Sequence, residues 1–426
     1  MPPIHDHPLR YRLSNELHAR PFPSITSPCT VAYLAIKQPQ EAVHRDRAQD
    51  RAHLIDLLDR HGAAHPQPGA THHSAQIGRH MLKWESHTEF VSYTVFTQGL
   101  SARPFDPLDF DVFPQDWLES VPGQRVTSIL LRVQERPEDR VVMKALNDWF
   151  VPESLAVGEV LDGGSVAAGD FRIDPAGHMR FALFAEPGTG PRRIGRVVQR
   201  LCEIETYKAM SMLGFSRARD MSGRIGELDT KLTELMIEIS DGAARADETL
   251  QPLLSLATEL ETLGARASFR FAATGAYEAI VGERIAMLHE ARFQGQQTFG
   301  EFMVRRYEPA MRTVKSTESR LAKLADRATR AGELLRTQVD VERSAQNQAL
   351  LESMDRRADM ALRLQHTVEG LSVVAISYYA VSLATYLLYP LTTLLGIGKG
   401  SLTALITLPV VGLVWLAIRR IRKKLH

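Results

Sequence analysis

The feature that most constrains this chain is a long stretch with almost no charge. Between residues 371 and 418, Lys399 is the only charged side chain. As a helix, the run 368–390 would span roughly 35 Å at about 1.5 Å per residue, which exceeds a hydrocarbon core of about 30 Å. The run 402–418 lies at the short end of the spanning range. A hairpin buried in a soluble core is the alternative, but soluble helices of this length keep a polar face. The sequence therefore predicts a transmembrane hairpin of two helices, with the lipid bilayer as partner.

Positive charge is concentrated directly after the second apolar run. The connection 391–401 contains Lys399 alone, whereas the tail 419–426 contains five basic side chains, Arg419, Arg420, Arg422, Lys423 and Lys424. Because basic residues favour the cytoplasmic side of a membrane, the tail is predicted to be cytoplasmic, and two spans return the N-terminal region to the same side. We expect a membrane protein with both termini in the cytoplasm.

The overall composition excludes some classes of protein. A chain of 426 residues is too long for one ordinary core, so two or three structural units are expected. The 51 Lys and Arg side chains nearly balance the 50 Asp and Glu side chains, which argues against a nucleic-acid partner. Cys29 and Cys202 are too few for a disulfide framework and agree with a reducing compartment.

The N-terminal region alternates short β-rich runs with Pro and Gly. A linker at 186–191 ends this region, so we predict a cytoplasmic α+β domain at 1–190. A helix is predicted at 41–61. The predicted strands are 30–37, 81–85, 89–97, 126–133, 155–161, 165–173 and 179–184, of which the second and third form a hairpin and the last three a meander.

Three apolar seams at helical spacing follow the linker. They cover 225–239, 253–263 and 314–335, and charged residues fill the positions between the apolar ones. For the first two seams, packing within one chain is the favoured interpretation. For the third, contact between copies of the chain is a strong alternative, so a homo-oligomer is expected. The seams predict long, coiled-coil-like helices.

The sequence before the membrane contains few residues that break a helix. Between Pro309 and Val368 there is no proline and one glycine, Gly332, which predicts a continuous helix from about 310 to about 389. The predicted organisation is therefore an α+β cytoplasmic domain at 1–190, a stalk of long helices at 191–367, a transmembrane hairpin at 368–418 and a basic cytoplasmic tail at 419–426.

Histidines are unevenly distributed along the chain. Eleven of the fifteen lie in the first 87 residues, which suggests a metal site. None of them combines with Cys or carboxylates at a recognised zinc spacing, however, and histidines on loops or at the surface are the favoured interpretation. The sequence therefore assigns no metal ligand and leaves the cofactors unknown.

The run Asn-Glu-Leu-His-Ala-Arg-Pro at 15–21 gathers four candidate ligand-binding side chains, Asn15, Glu16, His18 and Arg20. Asn15 and Glu16 could cap a helix start, and Arg20 could hold a carboxylate or a phosphate. A buried polar latch that fixes the N-terminal segment to its domain is the favoured interpretation, and a ligand site is the alternative. No nucleophile accompanies the cluster, so no catalytic residue is predicted and an enzyme is not expected.

Three runs carry a resemblance to a known family. They are the run at 15–21, Val-Gln-Arg-Leu-Cys-Glu-Ile-Glu-Thr-Tyr at 198–207, and Val-Glu-Gly-Leu-Ser-Val-Val-Ala-Ile-Ser-Tyr-Tyr at 368–379. Together they resemble an uncharacterised family of bacterial membrane-anchored proteins, known only as a domain of unknown function. The resemblance covers essentially the whole chain and implies membrane anchoring.

The order of the predicted parts is also similar to that of the CorA-type magnesium transporters. That family has a Gly-Met-Asn signature where its first span ends, and this chain has Tyr-Pro-Leu-Thr-Thr there, at 389–393. The likeness in layout implies an oligomer and makes a divalent cation a candidate partner. Because the signature is missing, no site residue of that family is transferred to this chain.

Two functions are the main alternatives. The first is an oligomeric membrane protein that conducts or regulates an ion, with first spans around an axis because one hairpin cannot enclose a pore. Candidate pore-lining residues are Ser372, Ser377, Ser382 and Thr385, although small polar residues equally pack transmembrane helices. The second is a membrane-tethered cytoplasmic scaffold or sensor without transport activity. An enzyme acting at the cluster at 15–20 ranks last.

Overall fold

The structure is a computed structural model that describes most of the chain. It describes residues 4–16, 21–39, 45–241, 246–395 and 398–425, with the side chains at 12, 15–16, 246–247, 391–395 and 422–425 outside the description. The chain divides into two compact units. The first comprises Met1–Ala243 and Gln251–Ala331, and the second comprises Ala244–Leu250 and Gly332–His426.

Strands and helices alternate up to residue 190, and long helices dominate afterwards. Within the described residues, the α-helices are α1 (Arg10–Glu16), α2 (Arg47–Arg60), α3 (Gln115–Glu119), α4 (Asp139–Trp149), α5 (Pro191–Ser240), α6 (Ala246–Ala286), α7 (Phe299–Arg306), α8 (Glu308–Leu395) and α9 (Lys399–Leu425). The strands there are β1 (Cys29–Lys37), β2 (His72–Ile77), β3 (His80–Ser86), β4 (Val91–Gln98), β5 (Gln124–Glu135), β6 (Ala156–Val160), β7 (Ser165–Gly169), β8 (Met179–Ala185) and β9 (Ala291–Arg292).

The strands of the first unit form one mixed sheet in the order β2-β3-β4-β1-β5-β8-β7-β6-β9. Neighbouring strands are antiparallel except β5 and β8, which are parallel. In the centre, Tyr33 of β1 lies opposite Thr94 of β4 on one side and Ile129 of β5 on the other. The short strand β9 pairs with β6, so the segment after α6 returns to the sheet.

Both faces of the sheet are covered, which explains the nearly continuous apolar sequence of β1. On one face, Leu57 of α2 and Trp117 of α3 are fully buried in a core that includes Leu34 of β1. Successive side chains of a strand point to opposite faces. On the other face, the hydroxyl of Thr206 in α5 donates to the hydroxyl oxygen of Tyr33 at 2.8 Å. Helix α5 therefore closes the second face.

Most of the predicted strands are confirmed, including the hairpin of β3 and β4 and the meander of β6, β7 and β8. The sequence did not predict β2, whose six residues contain few β-branched or aromatic side chains and which forms the edge of the sheet. Nor did it predict the two-residue strand β9. Both strands form an edge of the sheet, where side chains are less buried and the sequence shows little apolar alternation.

Two predicted boundaries are wrong for identifiable reasons. Helix α2 begins at Arg47 and not at residue 41, because the Asp46 side chain caps it by accepting hydrogen bonds from the backbone N–H groups of Ala48 and Gln49. Residues 40–44 lie outside the described part. Strand β7 ends at Gly169 and not at residue 173. The buried carboxylate of Asp170 accepts backbone hydrogen bonds there and turns the chain.

Much of each predicted seam is buried within the first unit. Residues Ile225 of α5, Leu260 of α6 and Leu321 of α8 are at most 4% exposed in the single chain. Ion pairs join the helices at the surface, as in a coiled coil. Asp229 of α5 binds Arg320 and Arg327 of α8 at 2.9 and 3.2 Å. Packing within one chain thus accounts for these parts of all three seams.

The helix predicted from about 310 to 389 is found as part of α8, which has 88 residues. The sequence-based fold class is confirmed in its coarse form, an α/β sheet domain followed by long helices. Helix α5 begins at Pro191, the last residue of the predicted linker. The predicted domain boundaries themselves stay predictions. Residues 396–397, between α8 and α9, lie outside the described part.

Candidate functional site

The cluster predicted at residues 15–20 lies largely outside the description. Asn15 and Glu16 end helix α1, but their side chains are not described, and His18 and Arg20 fall in the segment 17–20 outside the described residues. Both interpretations of this cluster, the polar latch and the ligand site, therefore stay predictions. Description resumes at Pro21, and Pro23 lines the cavity described next.

A small cavity lies between the sheet and α5. Its volume is about 20 Å³, which is space for about one water molecule. The polar groups around it come from three strands and one helix, and they include Tyr33, Lys83, Glu85, Thr94 and Thr206. A cavity of this size suits an ordered water and leaves no room for an organic ligand.

A series of polar contacts runs from β3 through α5 to α6. Lys83 and Glu85 form a buried ion pair at 3.1 Å, with side chains 8% and 10% exposed. The Lys83 ammonium donates to Gln199 Oε1 at 2.9 Å, and Gln199 donates to Glu203 Oε1 at 2.7 Å. Arg284 of α6 completes the series by binding Glu203. We call these five residues the Lys83 network.

A second ionic contact fixes α6 beside the sheet. The carboxylate of Glu89, with a side chain 1% exposed, accepts hydrogen bonds from both terminal guanidinium nitrogens of Arg270. It also accepts one from the hydroxyl of Tyr277 at 2.8 Å. Burial and the nearby Glu89 carboxylate raise the pKa of Tyr277. The Tyr277 ring stacks on Tyr207 of α5, with 5.5 Å between centroids. The sheet, α5 and α6 are thus joined by polar contacts that are largely buried.

Two close backbone approaches hold α5 in this position. A β-carbon at Gly195 would lie 1.8 Å from the carbonyl oxygen of Pro23, and one at Gly214 would lie 2.0 Å from Thr274 Oγ1. Only glycine leaves room for both neighbours.

The sequence signal for the Lys83 network was present in β3, where charged and apolar residues alternate. Lys83 and Glu85 share one face of the strand, and Leu82 and Trp84 face the core.

The cysteines are unsuited to nucleophilic chemistry in this structure. Cys29 and Cys202 are free thiols, each 3% exposed. Burial raises the pKa of the Cys29 thiol to about 12, and burial raises the pKa of Cys202 as well. Since the thiolate is the reactive form, both groups are held in their inert form at neutral pH.

The histidines show no metal cluster in the described ranges, where no group of three or more His, Cys, Asp or Glu side chains could hold an ion. His53 differs from the expected surface position, because it is 6% exposed and stacks on Trp117 at 3.9 Å. Its Nδ1 is 3.1 Å from the Tyr93 hydroxyl and its Nε2 is 3.0 Å from the Trp117 carbonyl oxygen. Burial lowers the pKa of His53, which fits a neutral core histidine.

The four pore-lining candidates have different surroundings on α8. Ser372 is exposed and donates to the Val368 carbonyl oxygen at 2.8 Å, while Ser382 is half-buried. Thr385 is 9% exposed and donates to the carbonyl oxygen of Val381 at 2.8 Å. Ser377 is 6% exposed, and its buried hydroxyl has no hydrogen-bond partner within the described residues. Whether any of them lines a pore stays a prediction.

Helices α8 and α9 each contain a segment long and apolar enough to cross a membrane. In the most apolar 18-residue stretch within Glu308–Pro390, 11% of the residues are buried. In the corresponding stretch within Lys399–Ile421, 0% are buried. Aromatic rings accompany the charges that bound α9. The Lys399 ammonium lies 5.4 Å from the centroid of the Tyr389 ring, and the Arg419 guanidinium lies 5.0 Å from that of Trp415.

Comparison with known proteins gives a family and no activity. No curated protein matches the chain. Residues 5–425, nearly the whole chain, match a family described as protein of unknown function (DUF3422). This agrees with the resemblance drawn from the runs at 15–21, 198–207 and 368–379. The chain belongs to the DUF3422 family of proteins of unknown function.

Proposed function

We propose that this protein is a membrane-anchored scaffold or sensor, with α8 and α9 crossing the bacterial inner membrane and the sheet-and-helix unit in the cytoplasm. The observation that carries the proposal is the exposure of the apolar windows in α8 and α9. A core helix of a soluble protein buries its apolar side chains, whereas these side chains have almost no protein cover. Lipid supplies the missing apolar surroundings.

The dimensions of α9 support this arrangement. Twenty residue steps separate Lys399 from Arg419, which corresponds to about 30 Å of helix and to a hydrocarbon core of about 30 Å. Tyr389 and Trp415 are paired with these two charges, and aromatic rings favour the interface between hydrocarbon and headgroups. The excess of basic residues after Arg419 favours a cytoplasmic tail.

The Lys83 network and the Glu89 contact support a role as a scaffold over one as an enzyme. Their charged groups are largely paired with each other, and they join the sheet, α5 and α6 into one unit. The cavity beside them holds about one water molecule, so a reacting substrate would need the unit to open. A rigid unit on a membrane anchor suits the presentation of a binding surface.

Membrane fractionation tests the anchor. The full chain should remain with the membranes after alkaline carbonate washing, and a chain that ends at residue 367 should move to the supernatant. A fluorescent reporter fused after His426 should fold in the cytoplasm, while alkaline phosphatase fused there should stay inactive. Release of the full chain by carbonate, or active phosphatase, would contradict the proposal.

Ion conduction by a homo-oligomer is the second candidate function. The observation that favours it is the buried Ser377 hydroxyl without a hydrogen-bond partner among the described residues, because polar groups inside a membrane often mark a pathway or a contact. Subunit number in mild detergent and cation flux into proteoliposomes test it. A monomer, or flux equal to that of empty liposomes, would leave the scaffold as the function. Flux that Ser377→Val abolishes in an intact oligomer would favour conduction.

A further inference from the structure

Basic residues are concentrated at the C-terminal end of α9, and no acidic residue lies close to them in the sequence. Arg419 and Arg420 have exposed side chains at this end, and Arg422, Lys423 and Lys424 follow in the sequence. No Asp or Glu occurs anywhere after Glu369 in the chain. Glu369, at the start of the first span, is therefore the one acidic residue in the two spans and the tail, against five basic residues in the tail.

The position of these charges along α9 indicates where a counter-ion lies. The Arg419 guanidinium stacks over Trp415, an aromatic residue of the kind that lies at headgroup depth. With α9 in the bilayer, helix positions 419–424 lie level with, or just outside, the lipid phosphates of the leaflet next to the tail. The opposite end of α9 has only Lys399. The basic residues that can attract lipid phosphates are thus concentrated at the leaflet on the tail side.

From this charge complementarity we propose that Arg419, Arg420, Arg422, Lys423 and Lys424 bind the phosphate groups of anionic phospholipids in the leaflet on the tail side. The inference rests on the proposed membrane anchor and adds the lipid class that the anchor selects. Guanidinium groups suit this ligand because they donate two parallel hydrogen bonds to phosphate oxygens. Each basic residue next to a membrane increases the preference for an anionic surface roughly fivefold.

Electron paramagnetic resonance of spin-labelled lipids tests the proposal on the full chain in vesicles. Phosphatidylglycerol should be immobilised by the protein several-fold more than phosphatidylcholine at equal label concentration. The variant Arg419→Gln, Arg420→Gln, Arg422→Gln, Lys423→Gln, Lys424→Gln should bring this ratio close to one. A charge-preserving variant, Arg419→Lys, Arg420→Lys, Arg422→Lys, should keep most of the preference, which separates loss of charge from loss of folding.

A matched control removes the same charge elsewhere. The variant Arg312→Gln, Lys323→Gln, Arg330→Gln, Arg336→Gln, Arg343→Gln neutralises five exposed cations of α8 that lie far from the apolar run, and it should leave the lipid ratio unchanged. If this control variant loses the lipid preference to the same extent, the proposed phospholipid site in the tail is wrong. Inorganic phosphate at millimolar concentration should not remove the preference in wild type. If it does, the charges bind a free anion and the lipid assignment is wrong.

The failure of this inference can be distinguished from failure of the anchor. Vesicles from the same preparation are washed with alkaline carbonate. If the wild-type chain is released, the membrane anchor itself is refuted. If the chain is retained and immobilises both lipids equally, the anchor stands and the anionic-lipid site is refuted.

Discussion

Gly214 of α5 and Thr274 of α6 lie so close together that a β-carbon at position 214 would be 2.0 Å from Thr274 Oγ1 and 2.9 Å from its Cβ. Thr274 is 2% exposed, and its hydroxyl donates to the Arg270 carbonyl oxygen at 2.7 Å. The crossing of the two helices therefore depends on the absence of a side chain at 214. It brings Arg270 of the same helix into reach of Glu89.

Gly214→Ala should destabilise the first unit. The added methyl group forces α5 and α6 apart, and overpacking of this kind costs about 1–3 kcal/mol in free energy of unfolding. Urea denaturation followed by circular dichroism measures it. Gly223→Ala in the same helix is the matched control, because nothing lies within 4 Å of a β-carbon there. It should raise stability by up to about 1 kcal/mol. Equal effects of both substitutions would disprove the close approach.

Lys83→Met should lower the free energy of unfolding more than the loss of a surface charge does. It leaves the Glu85 carboxylate buried without its partner, and breaking a buried pair in this way costs about 3–5 kcal/mol. The double variant Lys83→Met, Glu85→Leu should recover much of the loss, because no unpaired charge remains. Arg60→Met, which breaks exposed pairs with Asp56 and Asp116, should change the unfolding midpoint far less. A double variant as unstable as the single one would contradict this account.

Glu205→Gln should change how stability depends on pH. Glu205 is 1% exposed on α5, and burial raises the pKa of its carboxyl above the ordinary value of 4.5 despite Lys208 at 3.1 Å. A raised pKa means that the folded state binds the proton more tightly than the unfolded state. Its stabilising contribution is complete below the unfolded pKa and is lost as pH rises through the folded pKa.

The measurement is the free energy of unfolding of both proteins between about pH 4 and about pH 8. The difference in favour of Glu205→Gln should grow with pH over the interval that begins near 4.5. A difference that stays constant or shrinks with pH would show that the Lys208 contact outweighs burial.

The two thiols should be unreactive in the native protein. Both are buried, and burial raises the pKa of each, so a thiol reagent meets neither an exposed nor an ionised group. Ellman's reagent should label about zero thiols in buffer, and two per chain in urea, which is the number of cysteines in the sequence. Rapid labelling of one thiol in buffer would mean that α5 opens from the sheet.

The sequence predicted those parts of the fold whose pattern is local. The alternation in β3 and β4 and the seams on α5, α6 and α8 reflect burial that repeats at the period of the element. The beginning of α2 was predicted wrongly because apolar periodicity extended past its cap at Asp46. β9 was not predicted, since two residues carry no period and its pairing with β6 depends on a contact far away in sequence.

The candidate site shows the same division. Lys83 and Glu85 are visible in the sequence as charges on one face of a strand. Gln199, which accepts a hydrogen bond from Lys83, and Arg284, which binds Glu203 at the end of the network, lie more than a hundred residues away. No local pattern indicates that these residues meet. The cluster at 15–20 was conspicuous in the sequence, and its role stays a prediction because its side chains lie outside the described residues.

The return of the chain to the sheet through β9 has a consequence for biosynthesis. Phe293, next to β9, is 1% exposed in the same core as Leu57 and Trp117, so this core lacks a large side chain until that residue has been translated. When all strands up to β8 have left the ribosome, the core of the sheet is still incomplete and the nascent chain is prone to aggregation. We therefore expect chaperones to cover the nascent chain during this interval. The core can close before the first apolar run is synthesised.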